Sequence, residues 1–562
     1  MFSISIHFFF ACNNAPAEKP QIVIPVEKKV NVGQEISLLI KNYVYLQDID
    51  STQYLVIAHD NLLSTMFIRE FYLYNNYKSV WFNEEVNTQL CDSLYEIIKN
   101  SEEYGLLRED YHFTKIDSLM NSKYLNDRRG VNINAIAEAE LLLTDAFYTF
   151  CVHVSKGRLN KDSLTREWKG NTMDSNFVNR LYIGLEKNNI RSAIDSLEPK
   201  TAEYRAVKLV LKDFKNKFKN ENWDSIFYES KDSIPFEERL KKRLIASHDY
   251  HDEYIGSDEV KLGKAIKNFQ CRHHLNEDGK VGKLTYRALQ KTKRDYIHQL
   301  EMNLECWRLW DKPKDKAYVW INIPSFEMRL IENDSVILES RIIVGRDTAQ
   351  TPVLHSTINN ISIYPYWNVP RKIAVEEILP ILKRPPDSLQ HKNFELLDGY
   401  NNVVTAPVSW KKYNKNYFPF KIRQRIGDDN ALGILKFYFT NKKGVYMHDT
   451  DNRSLFNLEN RALSHGCIRL EKFIDLAKYL IKDDSINYPL NSFKHDLLLE
   501  KQKYVYIKHP LPLYTNYFTV EVNKYGETIY LIDVYKRDEK MLNALRTKAK
   551  GLTLLKTAQQ LQ

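Results

Sequence analysis

The chain has 562 residues, of which 43% are hydrophobic, 12% aromatic and 27% charged, with only 18 Gly and 18 Pro. That length predicts two to four domains, and that composition excludes a disordered, collagenous or low-complexity chain. The formal net charge is +9 with acidic and basic residues interleaved, the pattern of a solvated surface; no recognition helix or aromatic–basic motif is present, so no nucleic-acid partner is expected. No run of about 20 apolar residues occurs, which excludes a multispanning membrane protein.

The first twelve residues, Met1 to Cys12, read MFSISIHFFFAC, an apolar stretch too short to span a bilayer that ends in a small residue and a cysteine. Asn13-Asn14-Ala15-Pro16 and a polar stretch follow. The segment resembles a bacterial lipoprotein signal, which implies a lipid on Cys12; a simple cleaved signal is the alternative. Residues 1–12 are thus expected to be a signal and 13–35 a linker, placing the protein in the periplasm or cell envelope, with membrane attachment through the lipid if Cys12 is acylated.

From 36 to 245 the apolar spacing is helical and rich in aromatics, as in Phe71-Tyr72-Leu73-Tyr74 and Leu141-Leu142-Leu143. No chemistry is suggested there, and the region reads as a helical scaffold. Residues 246–296 form a small unit. Leu262, Ala265, Ile266 and Phe269 make one helix face, the loop Asn276–Gly282 turns at Asp278-Gly279, and Leu284–Leu289 is helical again. This unit resembles the three-helix peptidoglycan-binding domain of cell-wall enzymes. A helix around Tyr296–Trp310 follows, and the pattern then switches to period two, with strands at Tyr318–Ile323, Val336–Val344, Ile361–Tyr364 and Gly444–His448. Residues 297–540 read as a mainly-β domain, with an insertion at about 371–421 carrying a helix at Ile373–Leu382 that caps a site. Residues 541–562 are expected to be a C-terminal helix and tail. The fold class is multidomain α+β.

The six cysteines, at 12, 91, 151, 271, 306 and 467, show no paired short spacing, so neither a disulfide framework nor a metal knuckle is expected. Cys91, Cys151, Cys271 and Cys306 read as inert core thiols. Cys467 differs. It ends Ser464-His465-Gly466-Cys467, and His448 stands nineteen residues before it at a strand end. A thiol attacks as thiolate and needs a nearby imidazole or positive charge, while Gly466 permits a tight turn and adjacent backbone amides for an oxyanion. Trp367 and Trp410 read first as packing residues.

The string resembles the L,D-transpeptidase (YkuD-type) catalytic motif. The match extends to Ile321–Phe326, Ile343–Arg346, Thr351-Pro352, Trp367–Pro370 and Asn430–Gly433, as in the larger periplasmic branch with a helical scaffold, a peptidoglycan-binding domain and a capped catalytic domain. The resemblance implies Cys467 as nucleophile, His448 as its base, the Asp449 carbonyl orienting the imidazole, and Gly466, Cys467 and Tyr446 holding the oxyanion. Ser464 and His465 would shape the site, and Arg469, Trp367 and Asn368 would bind substrate. It also implies peptidoglycan stem peptides as partners, no cofactor and no metal, third-to-third cross-links with release of D-alanine, and acylation by carbapenems. A thiol peptidase or amidase with the same pair, a wall-binding scaffold protein, and a zinc site built from His448, His465 and Cys467 are the alternatives.

Overall fold

The computed structural model describes residues 32–45, 54–83, 86–120, 132–159, 177–223, 225–226, 234–384, 393–484 and 486–546. Cys12, with the signal and most of the linker, lies outside the described residues, as does the tail beyond 546. A helical N-terminal region is followed by a mainly-β C-terminal region.

Helix α1 (Ile133–Lys156) is the axis of the first region and is buried on every side from Ile136 to Val154 apart from Glu138, as its all-round apolar sequence dictates. Asn132 caps it by accepting from Ala135 N at 3.2 Å, satisfying a first-turn donor. Shorter helices at Val32–Tyr45, Thr65–Tyr74, Gln89–Lys99 and Phe113–Met120 pack around it. Among the described residues no cation pairs with the buried Glu140. It accepts instead from Tyr72 Oη, Ser79 Oγ, Val80 N and Trp81 N at 2.7–3.1 Å, and burial raises its pKa. A second polar cluster joins the first turn of the Thr65 helix to α1. Asp145 accepts from Ser64 N and Oγ at 2.6 Å and pairs with His112 Nε2 at 2.7 Å, while Asp60 meets His112 Nδ1 at 3.1 Å.

Three helices, α2 (Phe236–Ala246), α3 (Asp258–Arg272) and α4 (Lys283–Leu289), share a core of Leu240, Leu244, Phe269 and Leu289. Gln270 builds the predicted turn: its Nε2 donates to Asp278 Oδ1, the Lys280 carbonyl and Thr285 Oγ1, and Gly279 N donates to its Oε1. Gly279 has φ +74°, where a side chain is disfavoured. The unit begins earlier than expected, because α2, assigned to the scaffold, packs into it. Cys271 is exposed on α3 and is not a core thiol; it follows the inward-facing Phe269 and Gln270 and falls on the outer side of the helix.

The two ends of the unit lie together. Trp223 Nε1 donates to the Lys291 carbonyl, Ser225 Oγ to the Gln290 carbonyl, and Lys293 Nζ to the Phe218 and Glu221 carbonyls. The helix Ala202–Lys217 before this neck packs against α5 (Lys293–Leu309) after it. Helix α5 runs straight through the boundary expected at 296/297. It joins the N-terminal and C-terminal regions: Glu305 accepts from the backbone amides of Arg158 and Leu159, while Trp307 stacks on Phe518 with centroids 4.1 Å apart.

The β region contains β1 (Ala317–Asn322), β2 (Glu327–Glu332), β3 (Ser335–Gly345), β4 (Leu354–Ile363), β5 (Trp367–Asn368), β6 (Phe394–Leu397), β7 (Lys421–Gln424), β8 (Leu435–Phe439), β9 (Met447–His448), β10 (Ala462–Ser464), β11 (Ile468–Leu470) and β12 (Lys503–Asn516). Nine of these make one sheet in the order β10-β3-β11-β9-β8-β4-β12-β1-β2, and β2 also pairs with β3, so the sheet closes into a barrel. Strands β6, β7 and β5 form a separate three-stranded sheet that packs with the helical stretch 371–382 over Ile378, Leu382, Leu396, Phe418 and Ile422. The insertion therefore starts at Trp367 and ends at Gln424, wider than 371–421, because β5 pairs with residues 423–424. Only Met447–His448 of the strand expected from Gly444 is in the ladder. The closing helix is Arg537–Arg546, beginning before the expected 541.

Candidate active site

The short strands β9 and β11 run parallel at the centre of the barrel sheet, with Met447 opposite Ile468 and His448 opposite Arg469. Met447 and Ile468 are fully buried in the barrel core. Alternation along a strand sends their neighbours to the other face, which brings Tyr446, His448, Cys467 and Arg469 together. Strand β8 adds Lys436, directly opposite His448. The Tyr446 hydroxyl and backbone amide both donate to the Cys467 sulfur, and the Tyr446 hydroxyl is hydrogen-bonded in turn to the Trp367 side chain. The Tyr446 and His448 rings lie 5.6 Å apart.

The turn before Cys467 is fixed by its own side chains. Ser464 Oγ donates to the Cys467 carbonyl at 2.5 Å and accepts from Gly466 N at 3.1 Å. Thr351 Oγ1 donates to the Gly466 carbonyl at 2.9 Å. Gly466 has φ +112°, a conformation that only glycine adopts without strain. Gly345 lies beside it so closely that a side chain there would collide with the Ala349 carbonyl and the Gly466 backbone. Because Gly466 N is already committed to Ser464, it is not the free oxyanion donor expected of it.

His448 is buried, and its Nδ1 lies 2.5 Å from the Asp449 carbonyl. A carbonyl only accepts, so Nδ1 carries the proton and the neutral ring keeps its lone pair on Nε2. The Asp449 carboxylate does different work: it is buried, accepts from Ile434 N and pairs with Arg453 at 2.8 Å, fixing the backbone that holds the imidazole. Burial, with the charges of Arg469 and Lys436, pushes His448 down to about 3. Burial raises the Cys467 thiol, and the Tyr446 hydrogen bonds, Lys436 and Arg469 oppose that rise. The resting thiol and imidazole are both neutral, and the charges of Lys436 and Arg469 act on each of them.

His465 points away from the sulfur. Its Nε2 meets Glu377 Oε1 at 2.6 Å, and Arg346 reaches the same oxygen at 3.0 Å, so the motif histidine ties the nucleophile turn to the capping insertion. Burial would raise the Glu377 carboxyl, but hydrogen bonds from His465 and Arg346 hold it below its ordinary value. Arg469 is half-buried, and among the described residues its Nε has no hydrogen-bond partner. Trp367 packs on the core of the insertion and reaches the site through Tyr446. Asn368 is exposed on the same strand, and among the described residues no hydrogen bond joins it to the sulfur cluster. Trp410 packs into the insertion. The alternative zinc site does not assemble, since His465 is turned to Glu377 and the His448 Nδ1 proton is held by a carbonyl; among the described residues no group of three His, Cys, Asp or Glu is arranged to hold a metal. Lys436 and Glu377 are site residues that no sequence motif marked.

Residues 67–211 match the scaffold domain family, and residues 316–487 match the L,D-transpeptidase catalytic domain family (YkuD). A Haemophilus influenzae protein named "Putative L,D-transpeptidase" is 36% identical over 245 residues, covering 43% of this chain and 48% of that protein. The chain thus spans about half the length of the curated relative it matches. The crystal structure of an L,D-transpeptidase from Stackebrandtia nassauensis shares 15% identity over 46% of this chain and 91% of that one, with a TM-score of 0.19, a likeness too low to support the fold assignment. The barrel that carries Cys467 and His448 lies largely within the matched segment, and over 316–487 the chain is similar to L,D-transpeptidases of the YkuD type.

Proposed function

We propose that the protein is a cell-envelope L,D-transpeptidase that acts on peptidoglycan stem peptides through an acyl-enzyme on Cys467. The observation that supports this most is the placement of Cys467 and His448 on one sheet face, with Nδ1 of the imidazole held by the Asp449 carbonyl. His448 Nε2 takes the Cys467 proton as the sulfur attacks the carbonyl after the third residue of a donor tetrapeptide. The oxyanion is met by the Cys467 amide and the Tyr446 hydroxyl, the donors left once Ser464 has taken Gly466 N. Collapse breaks the peptide bond, and the imidazolium returns the proton to the departing D-alanine amine. An acceptor amine, on the side chain of a diamino acid such as meso-diaminopimelate, then loses a proton to His448 and attacks the thioester, restoring the thiol and forming the third-to-third cross-link. Arg469, whose Nε has no partner among the described residues and whose charge acts on Cys467, is the candidate partner for a substrate carboxylate, and Trp367 and Asn368 border the site from the insertion. The 236–289 unit positions the enzyme on the wall, and export with a lipid on Cys12 completes the proposed location.

Incubation with defined muropeptides, followed by mass spectrometry, tests the reading. Cross-linked dimer and free D-alanine are expected from the wild type and neither from Cys467→Ala. Tripeptide with no dimer would make the protein a thiol peptidase instead, and wild-type-like cross-linking by Cys467→Ala would overturn the nucleophile. A meropenem-treated wild type should gain one drug mass on Cys467.

A further inference from the structure

Lys436 stands where an ordinary strand position would carry an apolar or solvated side chain. Its neighbours Leu435 and Phe437 are fully buried in the barrel core, so Lys436 projects from the opposite face, in one row with Ser362 of β4 and His448 of β9. Its Nζ lies 3.6 Å from the centroid of the Tyr446 ring and 4.5 Å from that of Tyr438. Among the described residues no carboxylate pairs with it. A half-buried cation without a counter-ion is costly and is kept only where something else uses its charge. The groups facing it are Tyr438 on its own strand, Ser362, Tyr446 and His448, and Cys467 with Arg469 on β11. Of these, only the Cys467 thiolate offers a full negative charge.

We propose that Lys436 is a positioning residue for the nucleophile: held over the Tyr446 ring, its ammonium supplies the positive charge that stabilises the Cys467 thiolate when the proton leaves sulfur. The proton goes to His448 during acyl transfer and to solvent during alkylation, and Lys436 keeps its own. Electrostatics agree with this placement. Burial lowers the Lys436 pKa to about 8, and Cys467 is the single charge that opposes the fall. The tyrosine faces add a cation–π attraction that anchors the ammonium without neutralising it. Arg469 adds a second positive charge that favours the thiolate.

The inference rests on the proposed nucleophile but is tested apart from transpeptidation, by the pH dependence of Cys467 alkylation with iodoacetamide, resolved by peptide mass spectrometry because Cys271 is exposed as well. An opposite charge within about 4–6 Å shifts a titration by at least about one unit. Lys436→Met and Lys436→Gln should therefore react about tenfold more slowly than wild type at pH 7, whereas Lys436→Arg should restore the rate. Above pH 8 the wild type loses the Lys436 charge, and Lys436→Arg does not, so the two profiles should part there. Neutral variants that match wild type from pH 6 to 9 would overturn the proposal. So would an arginine variant as slow as the neutral ones, or loss of the fold in both neutral variants, either of which makes Lys436 a packing residue. A wild type whose Cys467 alkylates readily but which forms no cross-link would sink the transpeptidase reading and leave this one standing.

Discussion

Two buried histidines, one in each half of the molecule, are driven in opposite directions. His112, in the helical region, lies between Asp145 and Asp60. Burial alone would lower its pKa, but the two carboxylates more than reverse that and raise it. His448, in the barrel, is similarly buried, faces Arg469 and Lys436, and falls to about 3. Burial sets the stakes and neighbours decide the sign. The helical region holds its histidine between carboxylates that favour the charged form; the barrel keeps its histidine neutral, able to accept a proton.

The largest effect should come from breaking the barrel side of this comparison. Cys467→Ala should abolish D-alanine release, and His448→Ala should reduce it on the order of 10⁴-fold, since base and nucleophile act as a unit. Breaking the helical side should instead cost stability. Asp145→Ala removes the acceptor for Ser64 and one of the two carboxylates on His112, leaving Asp60, so unfolding in urea should show a loss of about 3 kcal/mol, with activity per folded molecule unchanged.

The pH dependence of local stability, read by hydrogen exchange, should then carry opposite signs. The His112 contribution is fully present below its unfolded value of about 6.5 and is lost as pH rises through its raised folded value. Protection of α1 should fall on that limb in wild type and stay flat in His112→Gln. His448 stays neutral in the folded state while the unfolded chain takes up a proton below about 6.5, so stability is lost as pH falls from there toward 3. His448→Gln should lessen that acid-side loss around β9. The smallest effect belongs to the tie between turn and insertion. Glu377 and its partners are partly exposed, so Glu377→Gln should change stability by less than about 1 kcal/mol, and its trace should appear in the KM for the donor peptide.

The nucleophile turn was legible because its motif is local: Ser464, Gly466 and Cys467 sit within four residues, and the hydrogen bonds of Ser464 close on that same stretch, while the support from Thr351 comes from far along the chain. His448 and the Asp449 carbonyl were legible as neighbours at a strand end. Lys436 was not, because its meaning depends on the register of β8 against β9, and periodicity reports which face a residue takes but not what stands opposite. For the same reason the insertion was drawn too short: Trp367 and Asn368 become a strand only by pairing with Gln424 and Arg423, more than fifty residues on. The committed Gly466 amide is a matter of atoms that no spacing reveals. Helix α5 obscured the boundary near 296 because a continuous helix carries no punctuation where one packing environment gives way to another.

The neck at residues 218–223, 225–226 and 290–293 has a mechanical consequence. The three-helix unit leaves and rejoins the chain at one place, so it is a closed side loop, not a link between the helical region and the barrel. A pull on the N-terminal region would pass from the helix Ala202–Lys217 directly into α5 across their shared face and through the Lys293 and Trp223 hydrogen bonds, bypassing the loop until those bonds give way. The unit also holds to the C-terminal region, with Asn276 N donating to Glu459 Oε1 and Arg287 to the Asp533 carbonyl, so tension running past the neck leaves it seated beside the barrel.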